Sequence, residues 1–531
     1  MASEGVAPAA GIPLHDPSVR ADRRAPDATG RSARRLRTGA IGLAASLLLP
    51  QLLPGVNASY LIVAILACAC AAAIAWTEDP TDRRTSLNVF VWAMLVRVIA
   101  VTLCTSLGLR EGGPFLGPDS TTYYQKSAWL ASVAFHLDAL PVVYFGSYDV
   151  SHYYLFATAT RYLHTDLFGL QVMNCAMTAL TASLVYGLGR LVLPSWGLAL
   201  GLAVAFHPSL IAMSAVDLLK DPSIILGTVL ILWVIVRLTV ERTVSALPVY
   251  LIVGVAAALY VRTGRFYSFA YLEMAFVAAV LFMWLVRRRV FARPLAAVVV
   301  VVMFISAEVL PTYLAWPPSP IMVASNVSYV IYTPQMSQYA MGLFDRLKPS
   351  RLPNGLGLGG EGEGGPRITS VHVGPTNGPL AIVGSVASFL ANLVRRLYGP
   401  FVWILPSDWR FRALQAGDYL LYPGMLVWYG LLPLIGIGLC GTGWALLRRK
   451  ETRFALVFLW FFATVYFAQY LAINLSYRQR DVMLPVLLVF ACVGLPLLRQ
   501  WPRWRTWYAG YAVALVLVAV SHLMLRAFLH A

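Results

Sequence analysis

The sequence predicts an all-α polytopic membrane protein, and two features of its composition carry that prediction. Of the 531 residues, 59% are hydrophobic and only 12% are charged. A soluble domain carries roughly 25% charged residues, so a water-soluble protein of this size could not cover its surface with so few. The apolar residues are also grouped in long runs, as expected where lipid is the solvent for most of the chain.

These apolar runs recur at lengths that suit membrane crossing. A spanning helix needs about 20 apolar residues. The rule predicts about thirteen spans, near 38–56, 59–76, 87–107, 168–192, 194–213, 222–240, 246–261, 267–286, 295–315, 418–446, 454–473, 482–498 and 507–526. Residues 1–37 are polar and arginine-rich, which predicts a disordered cytoplasmic segment ahead of the membrane domain, 38–531.

Basic residues collect in alternate connections between these spans. If the N-terminus is inside, the clusters all fall on the cytoplasmic side, as the positive-inside rule predicts. They comprise Arg83, Arg84, Arg242, Arg287, Arg288, Arg289, Arg293, Arg448, Arg449, Lys450, Arg453, Arg499, Arg503 and Arg505. This pattern accounts for most of the net charge of +17, so no nucleic-acid partner is predicted.

Two connections on the predicted outer side are long, 108–167 and 316–417. Both mix aromatic residues, glycine, proline and isolated charges, and both contain short amphipathic stretches that predict interfacial helices. Residues 380–397 are apolar enough to span, but a crossing there would put the basic cluster at 448–453 outside. A helix lying in the outer interface is predicted instead. Structured loops of this length are usually functional.

The first acidic candidate in these loops is Asp119, in the segment GPDSTTYYQKSA. A carboxylate at the membrane surface, with Tyr124 and Lys126 close by in sequence, could accept a proton from an acceptor hydroxyl as a general base. The alternative is that Asp119 only caps the helix predicted to follow it. Both interpretations stay open on the sequence alone.

A second group, Asp217, Lys220 and Asp221, lies in a very short outer turn. The two aspartates are four residues apart, so on a helical turn they would share a face, with Lys220 next to them. The group is either part of a functional site or a self-neutralising turn that caps the span beginning at Pro222.

Arginine pairs stand at the outer ends of two further spans. Arg262 and Arg265 lie in YVRTGRFYSF, and Arg478 and Arg480 lie in NLSYRQRDVMLP. Arginines at such positions often only reach the lipid headgroups. Two outer pairs, in a chain that otherwise keeps its arginines inside, predict an anionic ligand because the guanidinium fork matches phosphate oxygens.

Other polar residues are weaker candidates. His152, in the first long loop, could bind a ligand or a metal, although a single histidine is more often structural. Arg97 lies inside a predicted span, where a charge is costly and is usually functional or paired. All six cysteines fall inside apolar runs, which predicts neither a disulfide framework nor a cysteine metal site.

Taken in order, these segments resemble the GT-C membrane glycosyltransferases. Protein O-mannosyltransferases, lipid A aminoarabinose transferases and bacterial glycosyltransferase family 39 proteins share the large first outer loop with an aspartate, the many spans and the second large outer loop. The resemblance covers most of residues 87–500 and rests on GPDSTTYY, FHPSLIAMSAVDLLKDPSIIL, ALYVRTGRFY, LVRRLYGPFVWILPSDW and NLSYRQRDVMLPVLLVFA.

The resemblance implies a GT-C-like bundle in a bacterial cytoplasmic membrane. A sugar would move from a polyprenyl-phosphate donor to an acceptor hydroxyl, on a glycan, a lipid or a protein, at the periplasmic or extracellular face. Asp119 would match the family's first-loop catalytic aspartate. The donor-phosphate contacts would be Arg262, Arg265, Arg478, Arg480 and Lys220.

The resemblance leaves metal dependence open. Family members that use a divalent cation commonly show an acidic pair in the first loop, whereas Asp119 has no acidic neighbour. A divalent cation is therefore neither required nor excluded by the sequence.

Two other functions compete with this interpretation. A transporter or flippase of lipid-linked sugars would place charges at the bilayer midplane and repeat its two halves. Arg97 fits that description, but no convincing internal repeat is present. An O-antigen polymerase or ligase also has a large outer loop with arginines, although it has no need of the first-loop aspartate.

Overall fold

The computed structural model describes residues 27–53, 55–107, 118–132, 150–240, 244–286, 288–291, 293–314, 397–398, 416–449, 453–472 and 477–530. Nearly all of the second long loop, with the interfacial helix predicted at 380–397, lies outside the described residues. So do residues 1–26 of the N-terminal segment.

The described part of the chain is 89% helical and has no strand. Its helices are α1 (Asp27–Leu48), α2 (Ser59–Trp76), α3 (Pro80–Ser106), α4 (Pro118–Ser132), α5 (Val150–Tyr162), α6 (Leu167–Val192), α7 (Gly197–Phe206), α8 (Pro208–Ile211), α9 (Asp221–Val240), α10 (Leu247–Gly264), α11 (Phe266–Leu285), α12 (Pro294–Leu314), α13 (Ala416–Leu447), α14 (Phe454–Ala472), α15 (Tyr477–Arg499) and α16 (Trp504–His530). One turn of π-helix, Ala212–Val216, follows α8.

The predicted all-α polytopic membrane fold is confirmed. Within the described residues, nine helices are long and apolar enough to cross a membrane, and the bent pair α7–α8 makes a tenth if it counts as one span. The other predicted spans, near 38–56, 295–315 and 507–526, overlap α1, α12 and α16, which do not meet that criterion, and α1 ends at Leu48, before the predicted end at 56. The first of these helices begins at Asp27, ahead of the predicted boundary at 38.

Several helices begin where the sequence favours a start. Pro80, Pro118 and Pro294 are the first residues of α3, α4 and α12, a position where the missing N–H of proline costs nothing and its fixed φ is already helical. Asp166 caps α6, because its Oδ1 accepts a hydrogen bond from the backbone N–H of Gly169 at 2.7 Å.

Ion pairs show which helix ends lie together. Asp82, near the start of α3, pairs with Arg190 at the end of α6 at 3.1 Å. Glu78 pairs with Arg237, near the end of α9, at 2.5 Å, and Arg453 donates to a backbone carbonyl at the end of α6. We call this the basic end. Its residues come from connections predicted to share one side of the membrane, and the structure brings them together.

Helices α13 and α15 cross at glycine. A Cβ atom on Gly438 would collide with the backbone oxygen of Phe490, and one on Gly494 would collide with that of Leu434. Small residues let helix backbones approach this closely in membrane proteins. The crossing holds α15, which carries Arg480, against the part of α13 that carries Trp428.

Candidate functional site

A buried ion pair lies at the other end of the bundle. Helix α9 runs from this end, at Asp221, to the basic end, at Arg237, and we call the Asp221 end the site end. Arg265, between α10 and α11, places its Nη2 2.6 Å from Oδ1 of Asp221. Both side chains are buried. Burying two charges is costly unless they meet in good geometry, so this contact fixes the corner between α10 and α11 against the start of α9.

Arg265 keeps donor capacity beyond its carboxylate. Its Nε and Nη1 are buried and have no hydrogen-bond partner among the described residues. The Tyr267 ring lies 5.8 Å from its guanidinium carbon, and the hydroxyl of Tyr466 on α14 lies within electrostatic reach. The hydroxyl of Ser268 is hydrogen-bonded to the hydroxyl of Tyr466 at 3.0 Å. The guanidinium therefore lies among tyrosines, and the N–H donors of its Nε and Nη1 are not committed to Asp221.

A second arginine–aspartate pair comes from α15. Arg480 places its Nε 3.3 Å from Oδ1 of Asp481, and its guanidinium stacks 4.4 Å above the ring of Trp428. Its Nη2 also lies 3.2 Å from the sulfur of Met425. Asp481 and Asp221 are close enough to interact electrostatically. The two ion pairs are therefore neighbours, although they are more than 200 residues apart in sequence.

Arg262 stands apart from these pairs. Its Nε lies 2.7 Å from Oε1 of Glu308, and this contact ties α10 to α12. Glu273 of α11 lies within electrostatic reach of both groups. With two carboxylates near one guanidinium, Arg262 is a poorer candidate for a phosphate ligand than Arg265.

The short turn that carries Asp217 and Lys220 is not helical. Asp217 ends the π-helical turn in an extended conformation, with φ −92° and ψ 150°, and Asp221 opens α9. The shared helical face predicted for the two aspartates is therefore absent. Lys220 is half-buried, and its carbonyl accepts a hydrogen bond from the hydroxyl of Ser223 at 2.6 Å.

The first-loop helices dock on this turn through Ser120. Its Oγ accepts the N–H of Leu218 at 3.3 Å and lies 3.5 Å from Oδ1 of Asp217. Asp119 is the preceding residue, so its backbone also lies beside the turn, while its side chain is outside the described part. Because α4 begins at Pro118, Asp119 stands inside the first helical turn rather than at the capping position.

His152 joins the second of these helices, α5, to the membrane bundle. Its ring is buried between the rings of Tyr123 and Phe156, and its Nδ1 lies 3.4 Å from Oγ of Ser223. The hydroxyl of Tyr260 donates to the same Oγ at 2.7 Å. Burial lowers the pKa of His152 to about 3, so the ring is neutral and serves as a hydrogen-bond partner.

Two other candidates are placed less fully. Arg478 lies in the first turn of α15, but its side chain is outside the described residues. Tyr124 is half-buried and packs against a small apolar cluster that includes Phe156 and Leu218. In the parts of the chain that the structure describes, no group of three histidine, cysteine or acidic side chains could hold a metal ion.

Sequence reasoning missed several residues of this end. Asp481, Tyr466 and Trp428 surround the two arginines, and only Asp481 carried a signal, as the acidic neighbour of Arg480 in RQRD. Arg97 has a structural explanation. Its guanidinium donates to four acceptors, which are the carbonyls of Ala93, Val204 and Ala205 and the hydroxyl of Ser214.

Comparison with known proteins adds no family to these observations. No protein-family model matches the sequence, and no curated protein is significantly similar to it.

Proposed function

We propose that this protein is a membrane glycosyltransferase that moves a sugar from a polyprenyl-phosphate donor to an acceptor hydroxyl at the site end. What supports the proposal most is that residues far apart in sequence converge there. The groups are the start of α4, which carries Asp119, the turn with Lys220, and the ion pairs of Arg265 and Arg480. The resemblance to the GT-C enzymes connects the same segments.

The chemistry suits such a constellation. The acceptor hydroxyl attacks the anomeric carbon of the sugar and gives its proton to a base, for which Asp119 is the candidate. The bond from the anomeric carbon to the phosphate oxygen breaks, and polyprenyl phosphate leaves with one more negative charge. Guanidinium groups held in a dry site stabilise such developing charge. Arg265 and Arg480 are already oriented by aspartates, so the phosphate would bind beside these pairs.

Binding of the leaving group tests this assignment. We expect Arg480→Gln to weaken the binding of polyprenyl phosphate to the protein in nanodiscs by about ten- to a hundredfold, the value of one charge-assisted contact. Arg265→Gln should act in the same direction. Arg237→Gln is the matched control, since Arg237 is also ion-paired, with a side chain only 12% exposed, but lies at the basic end. Equal affinities in all four proteins would remove the arginines from donor binding.

The reaction itself is tested by its product. Reconstituted protein is supplied with polyprenyl-phosphate hexose and with a cell-envelope fraction as the source of acceptor. Free polyprenyl phosphate should accumulate with the wild-type protein and not with Arg480→Gln. Addition of a chelator in the same assay decides the metal dependence that the sequence leaves open.

A transporter of lipid-linked sugars is the second candidate, and the bent pair α7–α8 favours it. Discontinuous helices bind substrates in many transporters. Here, however, the guanidinium of Arg97 beside the break already donates hydrogen bonds to carbonyls and a hydroxyl. The product assay separates the two functions, because a transporter would move the donor across a proteoliposome membrane without releasing polyprenyl phosphate.

The proposal also fixes an orientation in the bacterial cytoplasmic membrane. With the N-terminus inside, the basic end is cytoplasmic and the site end faces the periplasm or the exterior. We expect a reporter fused after Arg289 to read cytoplasmic and one fused within 353–366 to read external. The reverse result at either position would place the site on the wrong side for a donor presented outside.

A further inference from the structure

The segment between α7 and α9 is irregular, although it runs through the membrane bundle. The chain bends by 53° between Phe206 and Pro208, makes a π-helical turn over Ala212–Val216 and is extended at Asp217. Backbone polar groups at membrane depth need partners inside the protein, because lipid offers none. Such a segment is stable only if other helices supply those partners.

Helix α6 supplies three of them from one face. Gln171 donates through Nε2 to the carbonyl of Val216 at 3.1 Å, and Asn174 donates through Nδ2 to the carbonyl of Leu219 at 2.9 Å. Cys175 places its sulfur 3.4 Å from the carbonyl of Ser214. Asn174 and Cys175 follow Gln171 by three and four residues, the spacing that puts side chains on a single helical face. All three are buried.

Two further elements hold the same segment. Arg97 of α3 donates to the carbonyls of Val204 and Ala205, near the end of α7, and to the hydroxyl of Ser214. At the other end of the segment, the N–H of Leu218 donates to the hydroxyl of Ser120 on α4. Of the carbonyls bound by α6, that of Val216 lies just before the turn 217–221 and that of Leu219 lies within it.

We propose that Gln171 and Asn174 are positioning residues, which clamp the turn 217–221 in the shape that presents Lys220 and Asp221 to the site end. The inference rests on the proposed function for what the turn does, but the clamp itself does not depend on it. Lys220 and Asp221 are consecutive and lie just beyond the clamped carbonyl of Leu219. A change in that backbone would therefore move the Asp221 carboxylate that orients Arg265.

Near-isosteric apolar substitutions test the clamp. We expect Asn174→Leu and Gln171→Met, each in the full chain in nanodiscs, to speed hydrogen–deuterium exchange in a peptide covering 212–223. The loss of one buried hydrogen bond makes local opening about ten- to a hundredfold more frequent. Thr178→Val is the matched control. Thr178 is a buried residue of α6 whose hydroxyl bonds only to the carbonyl of Asn174 in its own helix.

The outcomes separate the clamp from the proposed function. Faster exchange in both variants, together with weaker polyprenyl phosphate binding, supports the proposal. Unchanged exchange in 212–223 overturns it, and Gln171→Met decides alone if Asn174→Leu does not fold. Faster exchange with unchanged phosphate binding overturns the role of the clamp in positioning the site, provided that Arg480→Gln still weakens binding. If Arg480→Gln has no effect either, the clamp stands and the proposed function fails.

Discussion

Asp221→Ala is expected to destabilise the protein by about 3–5 kcal/mol, the largest effect on stability that we predict. The substitution leaves the Arg265 guanidinium buried, with its 2.6 Å partner removed. An uncompensated charge in the interior costs more than the pair gained, because the Asp221 carboxylate was the opposite charge that offset the desolvation of Arg265. The measurement is thermal unfolding in detergent, compared with the wild-type protein.

Removing both charges should cost less stability than removing Asp221 alone. The double variant Asp221→Asn, Arg265→Gln is expected to regain most of the lost stability, since neither side chain then carries an unpaired charge. It should nevertheless bind polyprenyl phosphate poorly and fail to release it from the donor. A double variant that is both stable and fully active would show that the pair only supports the fold.

The pair of Glu78 and Arg237 provides the comparison. Its charged groups lie 2.5 Å apart and its side chains are 12% (Arg237) and 5% (Glu78) exposed, but it lies at the basic end. Its single and double variants should reproduce the stability pattern without any change in phosphate binding. The difference in phosphate binding between the variants of the two ion pairs then measures what the Asp221–Arg265 pair contributes to function.

The fold could be predicted from the sequence because each span carries its own signal. A run of apolar residues long enough to cross a bilayer forms a helix, whatever its neighbours are. The apolar run does not predict the break between α7 and α8. Hydropathy is an average over a window of residues, so it carries no signal for a bend at His207 and Pro208. The bend depends on hydrogen-bond partners for the carbonyls of Val204 and Ala205. Arg97, more than 100 residues earlier in the sequence, is that partner.

Candidate residues could be named from the sequence, but the contacts between them could not. Arg262 and Arg265 looked equivalent in sequence, as a pair at one span end. The structure gives them different partners, Glu308 and Asp221, each more than 40 residues away. Charge partners in a helical bundle depend on which helices pack together, and a single sequence carries no signal for that packing.

Local geometry was the other source of error. The four-residue spacing of Asp217 and Asp221 predicted one helical face, but the spacing has that meaning only if the backbone between them is helical. Buried donors on α6 hold that backbone in another conformation. The polar residues Gln171 and Asn174 in an apolar span were the available signal, since an amide inside a membrane helix needs an acceptor.

Asp119→Asn is expected to lower the rate of sugar transfer by about 10²–10⁴-fold, the range for loss of a general base. Asparagine keeps the size of aspartate, but it cannot accept the proton of the acceptor hydroxyl. Polyprenyl phosphate binding should stay nearly unchanged, because the role proposed for Asp119 is proton transfer and phosphate binding is assigned to the arginines. Turnover and donor affinity are measured on the same reconstituted sample.

Asp166→Asn controls for an aspartate that only caps a helix. Asp166 accepts the backbone N–H groups of Gly169 and Asn57, so its variant should lose some stability and keep its transfer rate. Near-normal transfer by a folded Asp119→Asn protein would remove Asp119 from the mechanism. The base would then be sought at Asp217, which lies beside Ser120, before Asp221, whose carboxylate is already committed to Arg265.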